Sequence, residues 1–97
     1  MDCAISVLLV DDHALLRKCL LRTLQDDPEI TVIGEASDGV EAVDTARLLE
    51  PQVIVMDLTM PLMDGIEATR RILRLAPATA ILILQYERGR NRRSQRI

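Results

Sequence analysis

The chain has 97 residues, 48% of them apolar, a single aromatic side chain (Tyr86) and a formal net charge of −3. This is one small domain with an aliphatic core, a composition common where helices cover a parallel sheet. It excludes an overall basic field for nucleic acid or anionic membrane, and no apolar run reaches the length of a membrane span.

Ser6–Val10 reads as a buried strand, and Asp11 and Asp12 end it. From His13 to Gln25 the positions Leu16, Cys19, Leu20 and Leu24 fall on one helical stripe, with Arg17, Lys18 and Arg22 off it. Asp26-Asp27-Pro28 stops that helix. Ile30–Ala36 is a second strand, followed by a turn at Asp38-Gly39. Asp38 with Glu41 three residues on makes a capping box for a second helix. Val40, Val43, Ala46 and Leu48 or Leu49 are its expected inner face, and Pro51 ends it.

Val53–Met56 is the third strand, with Asp57 at its end. After the loop 57–63, Asp64 caps a third helix, again with Glu67 three residues later. Ile66, Thr69, Ile72 and Leu73 are expected to face inward, and Pro77 closes the helix. Ala80–Leu84 is the fourth strand. The order β-α-β-α-β-α-β predicts an α/β fold with a doubly wound parallel sheet and right-handed crossovers.

Beyond Leu84 the pattern stops. Residues 1–86 carry 14 acidic and 7 basic side chains, whereas residues 87–97 carry five arginines against Glu87. We therefore divide the chain into a folded unit, 1–84, and a basic disordered tail, 85–97. The tail could touch nucleic acid or phospholipid, or be a degenerate sequence end. Cys3 and Cys19 are expected to be free thiols in a reducing compartment. The start has no basic n-region of a signal peptide, so the expected location is cytoplasmic.

Asp11, Asp12 and Asp57 carry the chemistry. Carboxylates at the carboxyl ends of buried strands cost free energy unless something uses them. If two parallel strands end side by side, the three acids share one rim, where doubly wound sheets bind ligands. A divalent cation would relieve their repulsion. Mg²⁺ suits two or three acids plus a backbone carbonyl, because it retains waters. Asp57 could then attack an incoming phosphoryl group. The spacing alone leaves a plainer alternative open, with each aspartate a turn residue or helix cap and Asp12 capping the first helix. His13, the only histidine, could be a phosphate carrier or a metal ligand, but reads first as a solvated residue of the first helical turn; Met56, Met60 and Met63 read as core and loop packing rather than a soft-metal site.

The segments Val7-Leu8-Leu9-Val10-Asp11-Asp12-His13 and Val53-Ile54-Val55-Met56-Asp57-Leu58-Thr59-Met60-Pro61-Leu62-Met63-Asp64-Gly65-Ile66-Glu67-Ala68 resemble the receiver domain of two-component response regulators, and most of all the LuxR-type branch. The resemblance covers about residues 5–84. It implies a CheY-like, flavodoxin-like sheet of strand order 2-1-3-4-5, incomplete here for want of the fourth helix, fifth strand and fifth helix. It implies Asp57 as phosphoacceptor, Asp11 and Asp12 as the acid pair at Mg²⁺, and the Thr59 backbone carbonyl as a further metal ligand. The phosphodonor would be a sensor histidine kinase. Full-length members of the branch carry a DNA-binding domain, for which this chain has no counterpart.

The chain departs from the family pattern at two further points. Receivers place a Ser or Thr after the fourth strand, where Gln85 stands, and a Lys after the fifth, whereas the only lysine here is Lys18 in the first helix. The reading is thus a truncated phosphoacceptor module of a signalling pathway, impaired by truncation and not itself an enzyme. The alternative is a non-signalling remnant that self-associates or pairs with intact receivers. A phosphohydrolase with an aspartate nucleophile is disfavoured, because Thr59 occupies the position of its usual second acid.

Overall fold

The four aliphatic runs pair into one sheet because each is too apolar to face water. In the computed structural model, which describes residues 4–85, strands and helices alternate as β1 (Ile5–Val10), α1 (Ala14–Gln25), β2 (Ile30–Ala36), α2 (Gly39–Leu49), β3 (Val53–Asp57), α3 (Gly65–Leu75) and β4 (Ala80–Leu84). All pairings are parallel and the order is β2-β1-β3-β4. This is the flavodoxin-like order expected from the sequence, incomplete relative to the whole fold. Of the predicted basic tail only Gln85 is described; residues 86–97 and Cys3 lie outside the described residues.

The register places the strand ends. Val7 pairs with Val53 and Val10 with Met56, so β1 and β3 finish level. Asp57 pairs with Leu84 at the end of β3 and β4. The β1–β2 pairing slips once, from Val7–Val32 to Leu8–Gly34, which leaves Ile33 as the extra residue of a bulge. Leu8, Val10, Ile54 and Met56 join Ala36, Ala42, Ala46, Ala68 and Ile72 in one buried cluster with α2 and α3.

The helices match the expected inner faces in part: Ala46 and Ile72 are buried and Val43 packs against the core, but the faces are rotated toward smaller residues. The buried residues of α2 are Gly39, Ala42 and Ala46, while Val40, Leu48 and Leu49 are exposed. Those of α3 are Gly65, Ala68 and Ile72, while Ile66 and Leu73 are exposed. Small residues let the helix axes approach the sheet closely, and the larger aliphatics are displaced to the flanks. Thr69 is half-buried as expected, but its Oγ1 has no hydrogen-bond partner among the described residues. No residue of α1 is fully buried; Leu16, Leu20 and Leu24 are half-covered, and Cys19 is an exposed free thiol off the inner face.

Both predicted caps form, each with half of the reciprocal arrangement. Asp38 Oδ1 accepts from the Glu41 N–H at 2.8 Å, but Glu41 returns its carboxylate to the N–H and hydroxyl of Ser37. Asp38→Ala should cost about 0.5–2 kcal/mol of stability, read by denaturant melts. Asp64 Oδ1 likewise accepts from Glu67 N–H at 2.9 Å. Glu67 instead receives Arg71 Nε at 2.9 Å and Arg70 Nη1 at 2.8 Å.

The hydrogen bond from Arg71 is the main reason the Glu67 carboxyl sits below its ordinary pKa; desolvation opposes it, and Arg70 adds to it. A carboxylate depressed by folding contributes stability above its unfolded pKa and loses it as pH falls through the folded one. In a carbon-detected NMR titration, Glu67 should titrate below the usual glutamate midpoint. Arg71→Ala should move that midpoint upward.

Candidate functional site at the carboxyl ends of β1 and β3

The level ends of β1 and β3 bring Asp11 and Asp57 side by side. Their ladders run one residue beyond the register, with Asp11 N–H donating to Ala36 O at 3.1 Å and Leu58 N–H to Leu84 O at 3.0 Å. Asp11 and Asp57 are 1% and 2% exposed, and the side chain of Asp12 is 27% exposed at the rim. One donor atom from each of Asp11, Asp12, His13 and Asp57 lies within 4.8 Å of all the others.

Backbone amides orient the buried pair. Asp11 Oδ1 accepts from the His13 N–H at 2.7 Å, a turn that starts α1. Asp57 Oδ1 accepts from the Thr59 N–H at 3.3 Å. Arg17 Nη1 donates to the Asp11 carbonyl at 2.6 Å while its Nε reaches Glu35 Oε1 at 3.0 Å, which ties the ends of β1 and β2 to α1. The loop after Asp57 is anchored by Gly65 N–H to Leu58 O at 2.8 Å and by the buried Met60.

Like charges about 5 Å apart repel by about 3 kcal/mol at an effective dielectric of about 20. Two buried carboxylates and a third beside them therefore form a strong attractor for a divalent cation. The donor set is dominated by hard oxygen, as Mg²⁺ requires.

The structure thus gathers Asp11, Asp12 and Asp57, the three acids singled out from the sequence. Thr59 lies in the exposed loop directly after them, with its N–H turned to Asp57. Gln85 is exposed and follows the register partner of Asp57. Sequence reasoning ranked His13 too low and missed Arg17. His13 is the N-cap of α1 and part of the cluster, with Nδ1 at 3.5 Å from Asp12 Oδ1 and 3.7 Å from Asp11 Oδ1. Its adjacency to the acid pair was the available signal. Arg17 bridges three elements, and only its position one turn into α1 pointed to it. A separate open cleft, between the ends of α2 and α3 at Glu50, Pro51, Leu75 and Pro77, lies at the amino end of the strands, away from the acids.

Fold and rim together define a flavodoxin-like α/β domain with an acidic pocket at the strand ends. The sequence profile of the response regulator receiver domain matches residues 7–95, and the chain belongs to that family. It is 52% identical over 80 residues to the transcriptional regulatory protein LiaR of Bacillus subtilis, covering 82% of this chain and 38% of that protein. A LuxR-family two-component response regulator from Aurantimonas superposes with a TM-score of 0.83 at 40% identity, over 89% of this chain and 61% of that one. The response regulator domain of Thermotoga maritima CheB superposes with a TM-score of 0.81 at 41% identity, over 84% and 60%. The chain therefore spans well under half the length of this curated relative and about three-fifths of the similar solved domains. Among the described residues, no helix is long and apolar enough to cross a membrane.

Proposed function

We propose that this receiver is the phosphoacceptor of a two-component pathway, taking a phosphoryl group on Asp57 from a phosphohistidine of a sensor histidine kinase. The observation that carries this reading is the convergence of buried Asp11 and Asp57 with Asp12 at the ends of two adjacent parallel strands. Asp11, Asp12, Asp57 and the Thr59 backbone carbonyl would hold Mg²⁺. Bound there, the ion supplies charge neutralisation at the phosphoryl oxygens.

A carboxylate oxygen of Asp57 forms the new bond to phosphorus as the bond to the donor's imidazole nitrogen breaks. The electron pair stays with the imidazole. The Thr59 N–H donates to Asp57 Oδ1 and helps to orient the carboxylate. The turn from Asp11 to His13 holds the neighbouring acid in place. In this reading residues 1–84 form the partial receiver and residues 85–97 a basic segment outside it, and the protein works in the cytoplasm. The LuxR-type, transcription-regulating branch is proposed from the Asp11-Asp12-His13 and Met60–Ala68 motifs alone, because identity does not separate the branches: LiaR is 52% and a protein-glutamate methylesterase of Methanococcus maripaludis 50% identical over 80 residues each.

A second reading, an interaction module that does not signal, is favoured by Gln85 and by Leu82 on β4, which is 55% exposed. Its partners would be a second copy or an intact receiver. Magnesium affinity probes the site itself. Loss of even an outer-shell partner typically costs about 10–100-fold in metal affinity, so Asp12→Ala should weaken Mg²⁺ by at least that in calorimetry. Unchanged affinity would remove the basis of the phosphoacceptor reading.

A further inference from the structure

The acid rim holds one donor that a magnesium site has no use for. His13 is the only histidine of the chain. Its Nδ1 lies 3.5 Å from Asp12 Oδ1 and 3.7 Å from Asp11 Oδ1. Two donors bound to one tetrahedral ion at about 2.0–2.1 Å stand about 3.4 Å apart. Both separations are close to that edge length before any ion has drawn the groups together. Asp57 completes a set of four whose donor atoms lie within 4.8 Å of one another, so a modest contraction places all four on one ion. The half-exposed imidazole and the rim carboxylate of Asp12 can make that movement without disturbing the core.

We infer that this site also takes a borderline divalent transition ion of the Zn²⁺ class, and that His13 is the ligand that distinguishes such an ion from Mg²⁺. The inference rests on the reading of Asp11, Asp12 and Asp57 as a cation site. Imidazole nitrogen suits zinc, copper and nickel, whereas Mg²⁺ prefers oxygen and retains its waters. The consequence is a difference in access. Mg²⁺ held by the acids keeps positions open for a phosphoryl oxygen. Three carboxylates and one imidazole fill a tetrahedral shell, and sites closed in this way are structural rather than catalytic. A zinc-class ion would therefore occupy the rim and exclude the phosphoryl group, with His13 as the fourth donor.

The single imidazole makes the test unambiguous. The full chain is titrated with ZnCl₂ and separately with MgCl₂, while NMR follows the His13 ring signals and the Asp57 and Thr59 amides. A Cys3→Ser, Cys19→Ser background removes both thiols as competing zinc ligands. Zinc is expected to shift the ring and both amides together, whereas Mg²⁺ shifts the amides with little effect on the ring. In His13→Gln the amide response to Mg²⁺ should persist, and the response to zinc should need at least about tenfold more metal, by the scale on which lost partners weaken metal sites. A wild-type ring that stays fixed while zinc moves the amides would overturn the inference and leave the acid site standing. Equal loss of both metals in His13→Gln would also overturn it. Amides that respond to neither ion would sink the cation site itself, and this inference with it.

Discussion

Incubated with Mg²⁺ and a small phosphodonor, the wild-type chain should gain one phosphoryl mass slowly, and Asp57→Asn should gain none. The carboxamide keeps the shape of Asp57 but removes the negative oxygen that attacks phosphorus. The slowness follows from which groups surround that oxygen. The three acids are gathered at the rim, but Gln85 stands where receivers carry a hydroxyl. Preorganised charge is usually the largest single catalytic contribution, and removal of one such donor typically costs about 10²–10³-fold in rate. Uptake about 10²-fold or more slower than that of the LiaR receiver is therefore expected in a time course of intact mass. A phosphoryl mass on Asp57→Asn would show that the acceptor is misassigned. Uptake as fast as that of the LiaR receiver would show that the hydroxyl replaced by Gln85 contributes far less than this argument requires.

The fold was legible in the sequence where one dominant pattern decides it. Ile30–Ala36 and Ala80–Leu84 form strands over the expected ranges, because continuous aliphatic runs bounded by turn residues have little alternative. The convergence of Asp11 with Asp57 was legible for the same reason. Two buried parallel strands of similar length, each ended by an acid, finish at one rim once they pair in register. The helix faces were less legible. Hydrophobicity ranks Val40 and Leu49 above Ala42, whereas the distance of the helix from the sheet favours Ala42. That distance is set by elements remote in sequence. His13 was ranked as a solvated residue ahead of a metal ligand, and Arg17 escaped, for another reason. Both are polar residues at the start of an exposed helix, and their roles depend on groups that only the β1–β2–β3 pairing brings near.

The connection between α3 and the site can be tested at a residue with no side chain. Gly65 opens α3, and a Cβ placed there would stand 2.6 Å from the carbonyl oxygen of Asp57, 3.0 Å from Leu58 Cα and 3.2 Å from Leu58 O. All three are backbone atoms at the end of β3, where Gly65 N–H already bonds Leu58 O. Gly65→Ala must push the helix off the strand or the strand end out of line. Overpacking of this kind costs about 1–3 kcal/mol, which for a domain of this size lowers the melting temperature by about 5–20 °C. The gain of Ala over Gly in helix propensity, at most about 1 kcal/mol, offsets only part of it. Because the displaced carbonyl belongs to Asp57 itself, phosphoryl uptake should fall as well. A misplacement of about 1 Å can cost about 10²-fold in rate. Gly34→Ala is the internal control. Its Cβ would meet Leu49 Cδ1 at 2.7 Å and Leu8 Cδ1 at 3.4 Å, the far ends of flexible side chains. Leu49 is partly exposed and can swing aside, so Gly34→Ala should melt within about 5 °C of wild type, consistent with a cost of no more than about 1 kcal/mol. Equal losses of stability in the two variants would show that the contact between α3 and β3 yields as easily as a surface leucine, and that Gly65 does not hold Asp57 in place.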